Sequence, residues 1–571
     1  MNGLALRQLA RHVLPQASRD RGKGLAHVNS GAAETLLWLQ PAPDMAECWQ
    51  STLAVGELAG ERARMPAGRL VDATIALLVL RRAGALQQLP ATLLARLLDR
   101  IARRVDHLLR HPQAAGSEHS SQLYAAYLVA SVLGPCLPRR ARSLAKVQAK
   151  QACELLVDNL VADFRADGSH CERSPGPHLR TLQTALSFVA LARALDDALP
   201  PLLHARLRAG LDFSLWSTLP DGGPPGADDH ASPHQALLAL GAALYWLPAL
   251  EFAASRGGRG EPPDALARHF ADAGRVVARS SWHDAQAQHL LHDSGATQSA
   301  SRSQGEAPGF CYTIAGRRVL IDPGLQLPSP GAVPGVPGHE PQPLVRLGAR
   351  SILVRASAAS MQGPVHTRCL AYVLRRYVLV VDRFHAPDAG AHPACFTLQF
   401  AADWHDRIAL EHGARGSVVR GMASRPGGDW QVLLNAPEAT IELAEGSSEA
   451  GPCLRARQDF QGETFLAAAI GPQGSAFAIH ALEARHGAGR SVLCVTGESE
   501  GEAFADRLVV HWHEPGLVMR ADYLARASIA LERRSAGTLQ HLLLAEAGDW
   551  FSCLHPVHAP GAPDAAGDLE W

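Results

Sequence analysis

The sequence predicts a chain that is helical in its first half and an antiparallel β-sandwich in its second. Three observations carry that expectation. Before residue 255, apolar residues recur at helical spacing in one segment after another. Residues 255–263, SRGGRGEPP, are polar and rich in Gly and Pro, as a boundary should be. Beyond them, short apolar runs alternate with turn signals, and no long helical pattern intervenes.

Segment 91–110 is the clearest helix. Leu93, Leu94, Leu97, Leu98, Ile101, Val105, Leu108 and Leu109 form one stripe, with Arg96, Asp99, Arg100, Arg103 and Arg104 opposite. Similar patterns predict helices over residues 70–86, 122–133, 141–161, 178–195, 202–219 and 233–254. Short Pro/Gly/Asp breaks between them suggest successive helical hairpins. No fixed-period repeat is present, which argues against a uniform solenoid.

After the boundary one more short helix-like run is expected, and then strands. Residues 310–314 and 318–321 flank Ala315-Gly316-Arg317, and residues 370–374 and 377–381 flank Arg375-Arg376. Both read as hairpins. Further β-like runs are 395–400, 430–434, 491–495, 508–512, 528–531 and 539–544. Strands without intervening helices imply antiparallel sheets and not βαβ units. The domains expected are residues 1–265, helical, and 266–571, sandwich.

Composition narrows the function classes. With 571 residues, a prior of about 150 per domain gives roughly four domains, or two or three larger ones. Apolar residues make up 47%, enough for large cores. The 54 Lys and Arg against 55 Asp and Glu leave a net charge of -1, without the basic footprint of a nucleic-acid binder. The start, MNGLALRQLARHVLPQ, does not read as a signal peptide, and apolar stretches such as 75–80 are far too short to span a membrane. Ten cysteines without C-x-x-C spacing read as single thiols. A cytoplasmic protein is the default expectation. No P-loop and no G-x-S-x-G elbow is present.

The densest polar cluster is residues 167–178, DGSHCERSPGPH, just ahead of a helical face at Leu179, Leu182, Leu186 and Val189. Imidazoles and a guanidinium there suit an anionic ligand, with one His available for proton transfer. The alternative is a helix-capping loop with Glu172 and Arg173 as an exposed pair. A second node, residues 220–230, PDGGPPGADDH, offers Asp228, Asp229 and His230. These could hold a divalent ion or act as an acid/base pair, but an N-cap for the following helix is the favoured reading.

The cluster DGSHCERSP-x-x-H resembles the D-G-[GS]-H-x-E-R-S-P-x-Y-H signature of the heparinase II/III-like polysaccharide lyases. Ser117-Glu118-His119 resembles that family's Asn-His motif. ARSSW at 278–282, SQGEAPGF at 303–310 and AGRRVLIDPG at 315–324 resemble its later segments, as does RRYVLVVDRF at 375–384. The resemblance implies an incomplete α/α toroid followed by an antiparallel sandwich, with an acidic polysaccharide or oligosaccharide in the cleft between them. It also makes a periplasmic location possible. In such lyases Asn and His hold the uronate carboxylate, a Tyr and a His exchange protons, and His and Asp of the sandwich often bind a metal.

Departures from the pattern matter as much. Glu118 stands at the family's Asn, Pro177 at its Tyr, Gln304 and Glu306 at a His and an Asp, and Ala349-Arg350-Ser351 at a His-Asn-Thr segment. Asp322 remains, which alone is a poor zinc site, so no metal and no cofactor are expected. Asp322 is then a turn residue, and Glu306 should pair with Arg302 or Arg346. The candidate catalytic residues are His119, His170 and His178; the candidate substrate-binding residues are Glu172, Arg173, Tyr124 and Gln304. Two readings stay open: a lyase working by metal-independent β-elimination, or an inactive relative that binds a glycan or a protein partner.

Overall fold

The computed structural model describes residue 74 and residues 91–110, 117–136, 139–172, 175–224, 231–294, 309–322, 343–359, 364–386, 390–413, 416–423, 428–445, 451–487, 489–520, 523–547, 550–552 and 569–570. By contact density the chain divides into two compact units. One comprises residues 1–218, 222–224 and 230–262, and the other residues 219–221, 225–229 and 263–571.

Seven α-helices lie among the described residues of the first unit: α1 (Ala91–Arg110), α2 (Ser117–Val132), α3 (Arg139–Asp163), α4 (Pro175–Ala194), α5 (Pro201–Ser217), α6 (Ala231–Tyr245) and α7 (Pro248–Ala254). In α1 the second half of the expected stripe is inside: Ile101, Val105, Leu108 and Leu109 are buried, while Asp99–Arg103 and Asp106–Arg110 pair along the exposed face. Helix α2 packs against α1, α3 and α4, which explains its nearly unbroken burial from Leu123 to Ala130. It begins five residues before the apolar spacing suggests, because Ser117 to Ser121 are polar yet helical, with Glu118 in the first turn. The helix expected over 233–254 is two helices. Trp246 adopts a left-handed φ of 55° and Pro248 lacks the N–H that continuation needs. The helix expected at 70–86 lies outside the described residues except Thr74.

Helices α5 and α6 are tied by His234, whose Nε2 pairs with Thr218 Oγ1 at 2.8 Å, while Thr218 donates to the Ser214 carbonyl. Burial holds the His234 imidazole down at about 4. The unfolded chain binds a proton there near 6.5 and the folded chain does not, so this stability is present above that value and lost as the pH falls toward 4. His234→Asn should remove about 2 kcal/mol of the acid destabilisation between pH 7 and 4.5. Urea unfolding at the two pH values checks it; an unchanged difference would rule out this role.

The second unit is built of antiparallel sheets. The helix-like run expected just after the boundary is instead a hairpin, Ala267–Phe270 paired with Arg275–Arg279. Leu266, Ala267, Phe270 and Ala271 mimic helical spacing, but pairing with the fully buried Arg275–Arg279 strand decides the outcome. These two strands start a five-stranded sheet that continues through His289–Asp293, Gly309–Ile314 and Arg317–Asp322. Its last hairpin turns through Ala315 (φ 50°) and Gly316 (φ 71°), the two left-handed residues of a tight two-residue connection.

The central layer is an eight-stranded sheet that includes Ile352–Ala359, Val365–Val373, Tyr377–His385, Trp430–Asn435 and Glu463–Pro472. One face, with Leu370, Tyr372, Val378 and Val380, packs with Leu290, Phe310 and Tyr312 of the five-stranded sheet. The other, with Cys369, Ala371, Leu379 and Val381, packs with Leu493, Val495, Leu508 and Leu531 of a six-stranded sheet. The sandwich therefore has more than two layers. Burial on both faces is why YVLVV reads as a continuous apolar run with no alternation. Among the described residues no helix is long and apolar enough to cross a membrane.

Candidate functional site

Residues 167–172 of the polar cluster fold as a tight turn after α3, and residues 175–178 form the first turn of α4. Asp167 Oδ1 accepts from the Ser169 N–H at 2.9 Å and the Ser169 hydroxyl at 2.7 Å, and the Arg165 N–H donates to the Ser169 carbonyl at 2.8 Å. Gly168 takes a φ of 87°, and a Cβ there would sit 2.0 Å from the Ala209 carbonyl oxygen of α5. Only glycine fits. The loop closes with Phe164 and His170 in a β-bridge and with the Cys171 N–H donating to the Asp163 carbonyl at 2.8 Å.

This closure fixes two of the candidate histidines against one ring. Phe164 meets His170 edge-on at 5.9 Å and His178 edge-on at 5.7 Å between centroids. His170 is 1% exposed, and both its nitrogens are engaged. Nδ1 accepts the Glu172 N–H at 3.1 Å, so Nε2 carries the proton and donates to Thr181 Oγ1 at 3.0 Å. Burial holds this imidazole down at about 4, with Glu172 partly opposing. His178 is also buried; its Nε2 pairs with Ser214 Oγ at 2.8 Å and its ring packs on Phe213. Pro177, where the resemblance has a tyrosine, falls in the first turn of α4, where a missing N–H costs nothing.

His119 comes from the start of α2, held near the loop by its neighbour Ser120. The Ser120 hydroxyl donates to Asp163 Oδ2 at 2.9 Å, and Asn159 Nδ2 donates to both Asp163 Oδ2 (2.9 Å) and Ser120 Oγ (2.6 Å). Burial pushes the Asp163 carboxyl up to about 6, against these bonds. Of the three histidines His119 keeps the most surface, 8%, and among the described residues its Nδ1 has no hydrogen-bond partner. Burial lowers it below its ordinary value, so it is neutral at pH 7. Tyr124, one turn further along α2, is half-buried, whereas Tyr127 is sealed: its hydroxyl donates to Asp197, and burial together with that carboxylate raises it well above its ordinary value. Glu118 is exposed, 3.4 Å from Gln122 Nε2. Glu172 is half-buried at the loop end.

Arg173, Gln304, Glu306, Arg302 and the Asp228-Asp229-His230 node lie outside the described residues. Asp322 ends its strand, and the Ala349-Arg350-Ser351 segment serves the sheet: Arg375 donates to the Ala349 carbonyl and Ser351 Oγ accepts from the Leu374 N–H. Asp163, Ser120 and Asn159, which hold the loop to α2, carried no sequence signal. They are spread over 44 positions, and only the fold brings them together.

No family model matches the chain, and no curated protein does. Solved structures do. The chain is similar to the heparan sulfate lyase HepC of Pedobacter heparinus in a mutant form, with a TM-score of 0.59 at 15% identity over 88% of each chain. It is similar to a heparinase III structure with a TM-score of 0.63 at 14% identity, covering 83% of this chain and 80% of that one. The fold is heparinase-like, helical and then β, as the motif resemblance led us to expect.

Proposed function

We propose that the chain is a polysaccharide-lyase-like protein that binds an acidic, uronate-containing glycan at the site headed by His119, with its helices part of an incomplete α/α toroid. The reaction assigned to that site is metal-independent β-elimination. It requires taking the proton from C5 of the uronate and returning one to the departing O4. His119 supports this reading best: it is an imidazole whose Nδ1 has no hydrogen-bond partner among the described residues, at the head of a helix anchored to the end of α3 by Ser120 and Asp163. His170 and His178, each engaged through Nε2, position the loop; Tyr124, Glu172, Arg173 and Gln304 are assigned to substrate contacts.

Removing the base should then cost turnover and spare binding. For His119→Ala we expect a loss of about 10²–10⁴-fold in kcat with a glycan affinity near that of the unaltered chain. Single-turnover rates beside calorimetric binding separate the two, and a full rate in His119→Ala would exclude it as the base. A second reading, glycan or partner-protein binding without turnover, draws on Pro177 at the tyrosine position and on the sealed Tyr127.

A further inference from the structure

The loop that positions the histidines also gathers a set of metal ligands, and we propose that Asp163, His170 and Cys171 form a zinc site in the helical unit. One ligand atom from each lies within 4.8 Å of the other two. Cys171 Sγ is 3.8 Å from Asp163 Oδ1 and 3.9 Å from His170 Nδ1. A tetrahedral ion with Zn–S of about 2.3 Å and Zn–N or Zn–O of about 2.0–2.1 Å spaces its ligands about 3.5 Å apart. The thiol therefore needs to approach each partner by only about 0.3–0.4 Å.

The surrounding bonds aim the ligands. Asp163 spends Oδ2 on Ser120 and Asn159, which leaves Oδ1 turned to the thiol. His170 gives its Nε2 proton to Thr181, which leaves the Nδ1 lone pair on the side of Cys171; the ion would displace the Glu172 N–H that this lone pair now accepts. An imidazole fixed through its far nitrogen and a carboxylate fixed through its far oxygen are the outer bonds that ligated groups require. A water completes the tetrahedron. With a water as fourth ligand the charges close: one carboxylate and one thiolate balance the divalent ion, the imidazole is neutral, and binding releases the thiol proton. Asp163 and His170 are buried, while Cys171 is only half-buried and leaves a way in. The ion would staple the end of α3 to the loop, whether or not the lyase reading stands.

The test uses the full chain, dialysed against chelator and titrated with Co²⁺ and then Zn²⁺. We expect one Co²⁺ per chain with a thiolate-to-cobalt charge-transfer absorption, abolished by Zn²⁺. Cys171→Ser should lose the absorption, while Cys494→Ser, which removes an exposed thiol of the other unit, keeps it. Ser120→Ala should keep the absorption and weaken affinity about 10-fold. Zinc should raise the melting temperature of the unaltered chain and of Cys494→Ser but not of Cys171→Ser. Absence of the absorption from the unaltered chain, or its survival in Cys171→Ser, overturns the site.

Discussion

Gly168→Ala is expected to destabilise the helical unit by about 3–5 kcal/mol, among the larger effects of any single methyl group. Two costs add. The left-handed φ of 87° strains any residue with a Cβ, and the new carbon meets the Ala209 carbonyl oxygen at 2.0 Å and its carbon at 2.1 Å. Backbone atoms of α5 cannot swing aside as a flexible side chain would. Gly487→Ala is the control, since a Cβ there meets nothing within 4 Å. Urea unfolding followed by circular dichroism should show a large drop for Gly168→Ala and a change below about 1 kcal/mol for Gly487→Ala. Equal effects would show that the loop is not held as described.

Asp382→Leu should be comparably severe, at about 3–5 kcal/mol in the second unit. Asp382 is fully buried and takes a bidentate pair from Arg368, Nε at 2.8 Å and Nη2 at 2.7 Å, with His366 Nε2 3.2 Å away. Burial works against ionisation, yet Arg368 and His366 hold this carboxyl well below the usual carboxylate range. Deleting it removes the bidentate carboxylate from a guanidinium that is itself 0% exposed and packed on Phe310 and Phe396. Arg368→Met combined with Asp382→Leu should recover most of the loss, because no unpaired charge is left. A double variant no more stable than Asp382→Leu alone would show that the cost lies elsewhere.

That pair also shows how a motif can be legible while its physical role is not. The V-x-D-R ending of 375–384 pointed to a lyase sandwich strand, and the strand is there. Asp382 and its neighbour Arg383 act inside the sheet, however: Asp382 through Arg368, and Arg383 through Glu463 at 2.6 Å. Helices were readable where one face is buried, as in α1, because period and burial agree. Strands such as Ile352–Ala359 and Glu463–Pro472 escaped because they are alanine-rich or buried on both faces, so neither alternation nor β-branched density marks them. In the site, DGSHCERSP announced the loop and its histidines. The anchor of that loop did not show, since Ser120, Asn159 and Asp163 are ordinary residues until α2 and α3 pack.

The proposed reaction of this heparinase-like fold is β-elimination on a uronate glycan through His119. Its most direct test is the ultraviolet absorbance of the unsaturated uronate product, followed while the unaltered chain is incubated with heparan sulfate and a panel of other uronate polysaccharides across a range of pH. A steady rise is expected with at least one of them, lost in His119→Ala. No product from any glycan at any pH would contradict it, and measurable glycan binding in the same samples would leave the binding-only reading in its place.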